Sequence, residues 1–168
     1  IRLSLVGSEM CIRDRVNINP IPDVVVTPTS ETICSGTSTN ISFTGSISGT
    51  VFNWTVVQSG VTGATSGTGT SIQQTLVTTS LISSGTATYT ITPVLNGCSG
   101  TPVDVIVTVN PTPEILGTPT HLPICSGEFT NINVSAMDPA TVFDYTVSAV
   151  GVTGATGGTI TAGTPIAQ

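Results

Sequence analysis

Ile33-Cys34-Ser35-Gly36 returns as Ile124-Cys125-Ser126-Gly127, and the offset, 125 − 34 = 91, holds for the residues around it. Val51-Phe52-Asn53-Trp54-Thr55-Val56 becomes Val142-Phe143-Asp144-Tyr145-Thr146-Val147, and the sequence Gly60-Val61-Thr62-Gly63-Ala64-Thr65 recurs unchanged at 151–156. Residues 19–70 laid on 110–161 give 27 identities in 52 positions without a gap. A period of this kind constrains the fold more than any single motif, because each unit must be a structural module in its own right. It also sets expected boundaries. Asn19-Pro20-Ile21-Pro22 matches Asn110-Pro111-Thr112-Pro113, so the complete module spans residues 21–110. Residues 16–20 are expected to be the tail of a preceding module, since Val16-Asn17-Ile18-Asn19-Pro20 aligns with Val107-Thr108-Val109-Asn110-Pro111. Residues 111–168 are expected to be a truncated second module, lacking counterparts of Tyr89 and Cys98. On this reading the parent protein carried at least three modules, joined by Asn-Pro-x-Pro linkers that favour extended, semi-rigid conformations.

Within the module the apolar pattern has period two. Thr39–Thr44 alternates Ile41 and Phe43 with polar residues, and Val51–Val57 puts Phe52, Trp54 and Val56 on one face. Thr86–Leu95 sets Ala87, Tyr89 and Ile91 together. Asn96-Gly97 then supplies the pair of positive-φ residues a type I′ hairpin needs. Val103–Val109 follows, with valine at every second position, and Asp23–Thr27 and Ser71–Val77 complete the set. Pro93, in the first arm of the hairpin, indicates an edge or a bulge. With 32 Thr, 18 Ser, 18 Gly and 11 Pro in 168 residues, β-branched strands and punctuated turns dominate. The expectation is an all-β chain: a Greek-key β-sandwich in tandem, with a core built on Phe52, Trp54 and Tyr89 and, in the second copy, Phe143 and Tyr145.

The first fifteen residues do not share this composition. All three basic side chains, Arg2, Arg13 and Arg15, fall there, and from Val16 to Gln168 there is no Lys or Arg. Leu5-Val6-Gly7-Ser8-Glu9-Met10-Cys11-Ile12-Arg13-Asp14-Arg15 resembles the translation of a transposon-end adapter used in tagmentation sequencing libraries. Residues 1–15 are therefore expected to be non-native and are set aside for fold reasoning, with Cys11, as a fusion scar would be.

Cys34, Cys98 and Cys125 remain. Cys34 precedes the second strand and Cys98 follows the hairpin turn, so both are expected near the end of a sandwich. A Cys34–Cys98 disulfide is the prediction, closing a loop of about 65 residues and contributing roughly 3–4 kcal/mol. One cysteine pair per repeat points to an oxidising compartment. No metal or cofactor site is expected: there is no CxxC, and His121 has no His or Cys partner at ligand spacing. Asp23 and Glu114, at the module joints, carry the hard oxygens that calcium would use, although solvated carboxylates are the preferred reading. No catalytic residue is assigned, because His121 is the only histidine and the carboxylates Asp23, Glu31, Asp104, Glu114, Glu128, Asp138 and Asp144 are scattered singly. A net charge of −6 disfavours nucleic acid, and no apolar run approaches the roughly 20 residues of a spanning helix.

Together, the Ile33-Cys34-Ser35-Gly36 motif, the Phe52-Asn53-Trp54-Thr55 strand, Gly60-Val61-Thr62-Gly63-Ala64, Tyr89-Thr90-Ile91-Thr92-Pro93 with Asn96-Gly97-Cys98-Ser99-Gly100, and Val107-Thr108-Val109-Asn110-Pro111 resemble the PKD-like, immunoglobulin-like modules. Such modules occur in long secreted and outer-surface proteins of gliding-type Gram-negative bacteria. The resemblance covers residues 16–168 and implies an exported, non-catalytic tandem array at the bacterial cell surface, its partners being the neighbouring modules of the same chain. Two functions fit that setting. One is a structural or adhesive spacer or presentation stalk. The alternative is an accessory module of a larger surface-attached hydrolase that binds glycans or proteins. The family carries no catalytic residues to transfer. Tyr145 in place of Trp54 and Asp144 in place of Asn53 are the second copy's departures in the aromatic strand.

Overall fold

The computed structural model describes residues 18–116 and 123–168, so the adapter-like segment with Cys11, and His121, lie outside it. The described residues form strands and turns, with no helix. Residues 25–110 contribute β1 (Val25–Thr27), β2 (Ser30–Cys34), β3 (Thr37–Ser38), β4 (Ile41–Thr44), β5 (Val51–Ser59), β6 (Val61–Thr62), β7 (Gly67–Thr68), β8 (Ser71–Ile72), β9 (Thr75–Thr78), β10 (Gly85–Leu95), β11 (Cys98–Ser99) and β12 (Val103–Asn110).

These strands pack as a β-sandwich. One layer has the order β1-β4-β8, continued by β3-β9-β6, and the other runs β2-β12-β10-β5-β7. Thr37↔Leu76 and Ile41↔Ile72 lie on one register, so β3 with β4 and β9 with β8 are two longer strands, each briefly interrupted. At the interruption Thr39 N–H donates to the Gln74 carbonyl at 3.0 Å, and Gln74 N–H donates in turn to Thr39 Oγ1 at 3.0 Å. The Thr39 hydroxyl donates to the Ile72 carbonyl at 3.0 Å. A side-chain oxygen thus replaces one rung of the ladder, which is why a threonine can be fully buried there without an orphaned polar atom.

The alternating faces meet between the layers. Val26, Ile41, Phe43, Ile72 and Leu76 from one side pack with Phe52, Trp54, Ala87, Tyr89, Ile91, Val105, Val107 and Val109 from the other. Phe43 bridges them, its ring 6.0 Å from Phe52 and 5.8 Å from Trp54, both tilted, as aromatic quadrupoles favour. β10 is the central strand, paired with β5 from Thr86↔Ser59 to Val94↔Val51 and with β12 from Gly85↔Val109 to Ile91↔Val103. Asn96 and Gly97 both take positive φ (49° and 81°) in the two-residue turn between Leu95 and Cys98.

Beyond Ile91↔Val103 the pairing resumes at Val94↔Ser99, one residue out of step, so Gly100–Pro102 forms a bulge opposite Pro93. The Pro93 carbonyl accepts from Gly100 N–H at 2.9 Å on that side, so the donor that proline lacks would also point into the bulge. Pro93 therefore sits in the central strand without breaking a rung. Pro22, from the linker, is buried against the same bulge.

Two expectations need correction. The span 30–34, given no strand above, forms β2, which pairs in parallel with β12 from Ser30↔Ile106 to Cys34↔Asn110. Its side chains alternate between half-buried and exposed, too weak an apolar signal to read without the partner strand. The Cys34–Cys98 disulfide is absent. Cys34 lies beside Asn110 at one end of β12, whereas Cys98 pairs with Leu95, four residues beyond the Ile91 that faces Val103 at the other end. The ends are 110 − 103 = 7 residues apart, about 23 Å at ~3.3 Å per residue, against the roughly 4.4–6.8 Å between Cα atoms that a disulfide spans. Cys34, Cys98 and Cys125 are all free thiols. Both cysteines are near an end of the sandwich, but the ends are opposite ones.

Residues 115–168 contribute β13 (Ile115–Leu116), β14 (Ile132–Asn133), β15 (Ser135–Ala136), β16 (Val142–Tyr145), β17 (Gly158–Thr161) and β18 (Pro165–Ile166). Leu116↔Ser135 stands where Val25↔Thr44 stands 91 residues earlier, and Tyr145↔Gly158 where Trp54↔Gly67 stands. Ile132↔Ile166 corresponds to Ile41↔Ile72 with three extra residues in the second strand. Phe143 and Tyr145 are only half-buried, unlike Phe52 and Trp54.

Candidate functional site: a clamped loop against the core

The most concentrated polar chemistry in the first unit surrounds the loop Gly60–Thr65, the segment that recurs unchanged. After β5 the chain turns at Gly60 (φ 68°) and crosses to the other layer, where β6 pairs with β9. Gly63, at φ 100°, has its backbone against the Thr75 carbonyl, a conformation and a proximity that a Cβ would not allow. Two glutamines hold the loop. Gln58 Nε2 donates to the Ala64 carbonyl at 3.0 Å and its Oε1 accepts from Ala64 N–H at 3.2 Å. Gln74 Nε2 donates to the Thr65 carbonyl and hydroxyl, each at 2.9 Å, while its Oε1 accepts from Thr65 N–H at 2.9 Å.

The core aromatics join the same cluster. Trp54 Nε1 donates to the Thr65 carbonyl at 3.0 Å, and the hydroxyl of the fully buried Tyr89 donates to Gln74 Oε1 at 2.9 Å. Trp54 and Tyr89 thereby keep their polar tips bonded while their rings fill the core. Burial pushes the Tyr89 phenol up from its ordinary 10.0 to about 12, and the nearby Glu31 carboxylate adds to the shift. Both Glu31 carboxylate oxygens accept from Asn40 N–H, at 3.2 and 3.1 Å. The cluster is a lattice of amides and hydroxyls. Glutamine and threonine do not titrate near neutrality and Tyr89 stays protonated, so the arrangement locks a loop and offers no proton-transfer pair.

Part of this set of bonds recurs in the second unit. Thr130 N–H donates to the Gln168 carbonyl at 2.8 Å, Gln168 N–H to Thr130 Oγ1 at 3.1 Å, and Thr130 Oγ1 to the Ile166 carbonyl at 3.3 Å. Gln168 Oε1 accepts from Thr156 N–H at 2.9 Å, and its Nε2 donates to the Thr156 carbonyl and to the Tyr145 hydroxyl, the latter at 3.1 Å. Gln168 thus does for Thr156 and Thr130 what Gln74 does for Thr65 and Thr39. Sequence reasoning missed both glutamines, because the fixed offset of 91 lays Gln74 on Pro165. A gap of three residues, aligning Ile72 with Ile166, brings Gln74 onto Gln168. Gln58 has no counterpart, since Ala149 takes its place.

The carboxylates stand apart from this cluster. Asp23 accepts from the Ser46 hydroxyl at 2.7 Å and from Ser46 N–H at 2.9 Å, and these bonds hold its carboxyl below the usual range. Thr90 donates to Asp104 and Thr159 to Asp144, each at 2.7 Å, so both carboxylates are engaged across strand pairs. Among the described residues no three metal-ligating side chains gather. The large cleft lies instead in the second unit, about 930 Å³ in volume and lined by Ile124, Ile132, Tyr145, Val147, Val152 and Ile166 among others.

Residues 31–113 match the PKD-like domain family, and that span of the chain is a PKD-like domain. No curated protein matches the chain.

Proposed function

We propose that this chain serves as a non-catalytic structural segment of a secreted or cell-surface protein, a spacer that carries tension between whatever flanks it. In this reading residues 111–168 carry the first part of a second PKD-like copy, supported by the recurring strand registers and by the repeat of the Gln74 lattice around Gln168. The observation that carries the mechanical part is the parallel pairing of β2 with β12. Tension applied between residues 30 and 110 pulls these two strands in opposite directions along their length. The hydrogen bonds between them lie across the load and must break together, whereas bonds in a hairpin pulled from its open end break one at a time. Ser35 N–H donates to the Asn110 carbonyl, so on the alternation of strand donors Ile33 and Glu31 also direct their N–H groups at β12.

A glycan platform needs exposed aromatic faces. Phe43, Phe52, Trp54 and Tyr89, the aromatics of the first unit, are all in the core, which favours the spacer over the accessory binding module.

Single-molecule stretching of the full chain tests the proposal. The expected record has a distinct force peak followed by a length gain of about 30 nm, the contour of the 86 residues 25–110 at ~0.36 nm each less a few nanometres of folded length. Ile33→Pro, which removes one rung, should lower the peak further than Ile33→Ala, which removes only packing. Unfolding at forces no higher than those of a peeled hairpin, or equal peaks for the two variants, contradicts a shear-loaded spacer.

A further inference from the structure

The two cysteines of the first unit are kept apart by the length of β12, yet each stands at a linker. Cys34 is the ladder partner of Asn110, the residue that ends β12 and opens the linker Asn110-Pro111-Thr112-Pro113. Partners in a parallel ladder lie about 4.8 Å apart, and Cys34 is exposed there. Cys98 follows the Asn96-Gly97 turn at the opposite end, where the linker Asn19-Pro20-Ile21-Pro22 arrives. Asn19 Nδ2 donates to the Asn96 carbonyl at 3.5 Å, and Pro22 is buried beside Gly100.

Asn19 and Asn110 hold the same place in the repeat, so the two ends of this unit display the two sides of one kind of joint. On the side that ends, Asn110 Oδ1 accepts from the Ser84 hydroxyl at 2.8 Å and its carbonyl accepts from Ser35 N–H at 2.7 Å. On the side that begins, the asparagine Nδ2 reaches the Asn96 carbonyl. A single amide is therefore shared between neighbours. Only Pro111 and Thr112 separate Asn110 from Pro113, which holds the position of the buried Pro22, and Thr112 Oγ1 itself donates to the Ser35 carbonyl at 3.2 Å. The joint has no slack. One cysteine is the ladder partner of its asparagine, and the other stands two residues past the carbonyl that asparagine reaches.

We propose that Cys34 is a site of covalent linkage between modules, a disulfide with the cysteine at the Cys98 position of the copy that follows. This pair differs from the Cys34–Cys98 bridge within one unit that the strand register excludes. The inference rests on reading residues 111–168 as part of a second PKD-like copy. The chemistry is exchange with a small-molecule disulfide such as oxidised glutathione. The Cys34 thiolate attacks it and releases one thiol, and the second cysteine's thiolate then displaces the other. Two cysteine thiols are oxidised, one disulfide is reduced to two thiols, and the cysteines' two protons pass to the released thiolates. The bond needs Cα atoms about 4.4–6.8 Å apart, so it holds neighbouring ends in contact and passes tension to the next unit without straightening the linker.

The test uses the whole chain with a copy of residues 75–110 joined after Gln168, which supplies a cysteine at the Cys98 position of the second unit. In dilute protein under a glutathione redox buffer, peptic mapping should find Cys34 joined to the appended cysteine, about tenfold over any other pairing, as two thiols held at one joint require. Cys34→Ser should abolish that species, whereas Cys125→Ser, or Cys98→Ser in the first unit, should leave it. A link between Cys125 and the appended cysteine, or none to Cys34, overturns the inter-module bond. Denaturant unfolding keeps the two ideas apart. A second cooperative step without the Cys34 link refutes the bond and leaves the repeat standing; absence of both the step and the link refutes both.

Discussion

Removing the Gln74 side chain should cost the first unit more than any other single polar change, and the magnitude can be worked from its bonds. Gln74→Leu keeps most of the volume but deletes four side-chain hydrogen bonds, three of them to Thr65 and one to Tyr89. Thr65 is exposed and its backbone can turn to water, so those losses should be small, about 0.5–1 kcal/mol each at most. The Tyr89 hydroxyl is different. It belongs to a fully buried residue, and stranding such a donor costs about 1–3 kcal/mol. The expected total is about 2.5–6 kcal/mol. Tyr89→Phe alone should cost about 1 kcal/mol, since Gln74 keeps its bonds to Thr65. In the double variant Gln74→Leu/Tyr89→Phe no donor is stranded, so its cost should fall short of the sum by about 1–2 kcal/mol. Trp54, the chain's single tryptophan, lies in this core and donates to the same Thr65 carbonyl, so denaturant unfolding followed by its fluorescence reports on the first unit. Additive costs for the two substitutions, or a Gln74→Leu penalty below about 0.5 kcal/mol, would refute the view that one lattice ties the loop to the core.

Three further outcomes are expected. Gly100→Ala should destabilise the first unit by about 3 kcal/mol or more, because its Cβ would meet the buried Pro22 carbonyl and stand 2.9 Å from Pro93 Cγ, and neither can give way; a midpoint unchanged in denaturant would show that the linker does not pack there. Tyr89 should remain protonated well past the ordinary phenol range: in a Tyr145→Phe variant tyrosinate absorbance should rise only near pH 12, and because the folded-state value is raised, the contribution of the neutral phenol is intact below about pH 10 and lost between about 10 and 12. An absorbance rise near pH 10 with the fold intact would contradict the sealed phenol. Reducing agent should leave the unfolding midpoint unchanged, and the exposed thiols of Cys34 and Cys125 should react with a thiol reagent without denaturant; a stability loss of about 3 kcal/mol on reduction would restore the disulfide that the strand register removes.

Much of the architecture is local and so was legible in the residues alone. Period-two alternation placed Phe52, Trp54, Ala87, Tyr89, Ile91 and the valines of β12 on inward faces, because a strand's faces are fixed by parity. Asn96-Gly97 marked a turn because few other pairs accept positive φ twice. What the chain could not disclose one strand at a time was which end of a strand lies near which other end. Cys34 and Cys98 each stand at an end of the sandwich, but direction and layer are properties of the assembled sheet, and the parallel β2–β12 pairing puts the whole length of β12 between them, some 23 Å (7 × ~3.3 Å) or more. The glutamine lattice is tertiary for the same reason: Gln74 means nothing as a lone polar residue until β8 and β9, the loop and β10 bring Thr65 and Tyr89 to it. Composition and parity chose the fold class; pairing direction, reach and desolvation, which exist only once distant segments touch, decided what holds it closed.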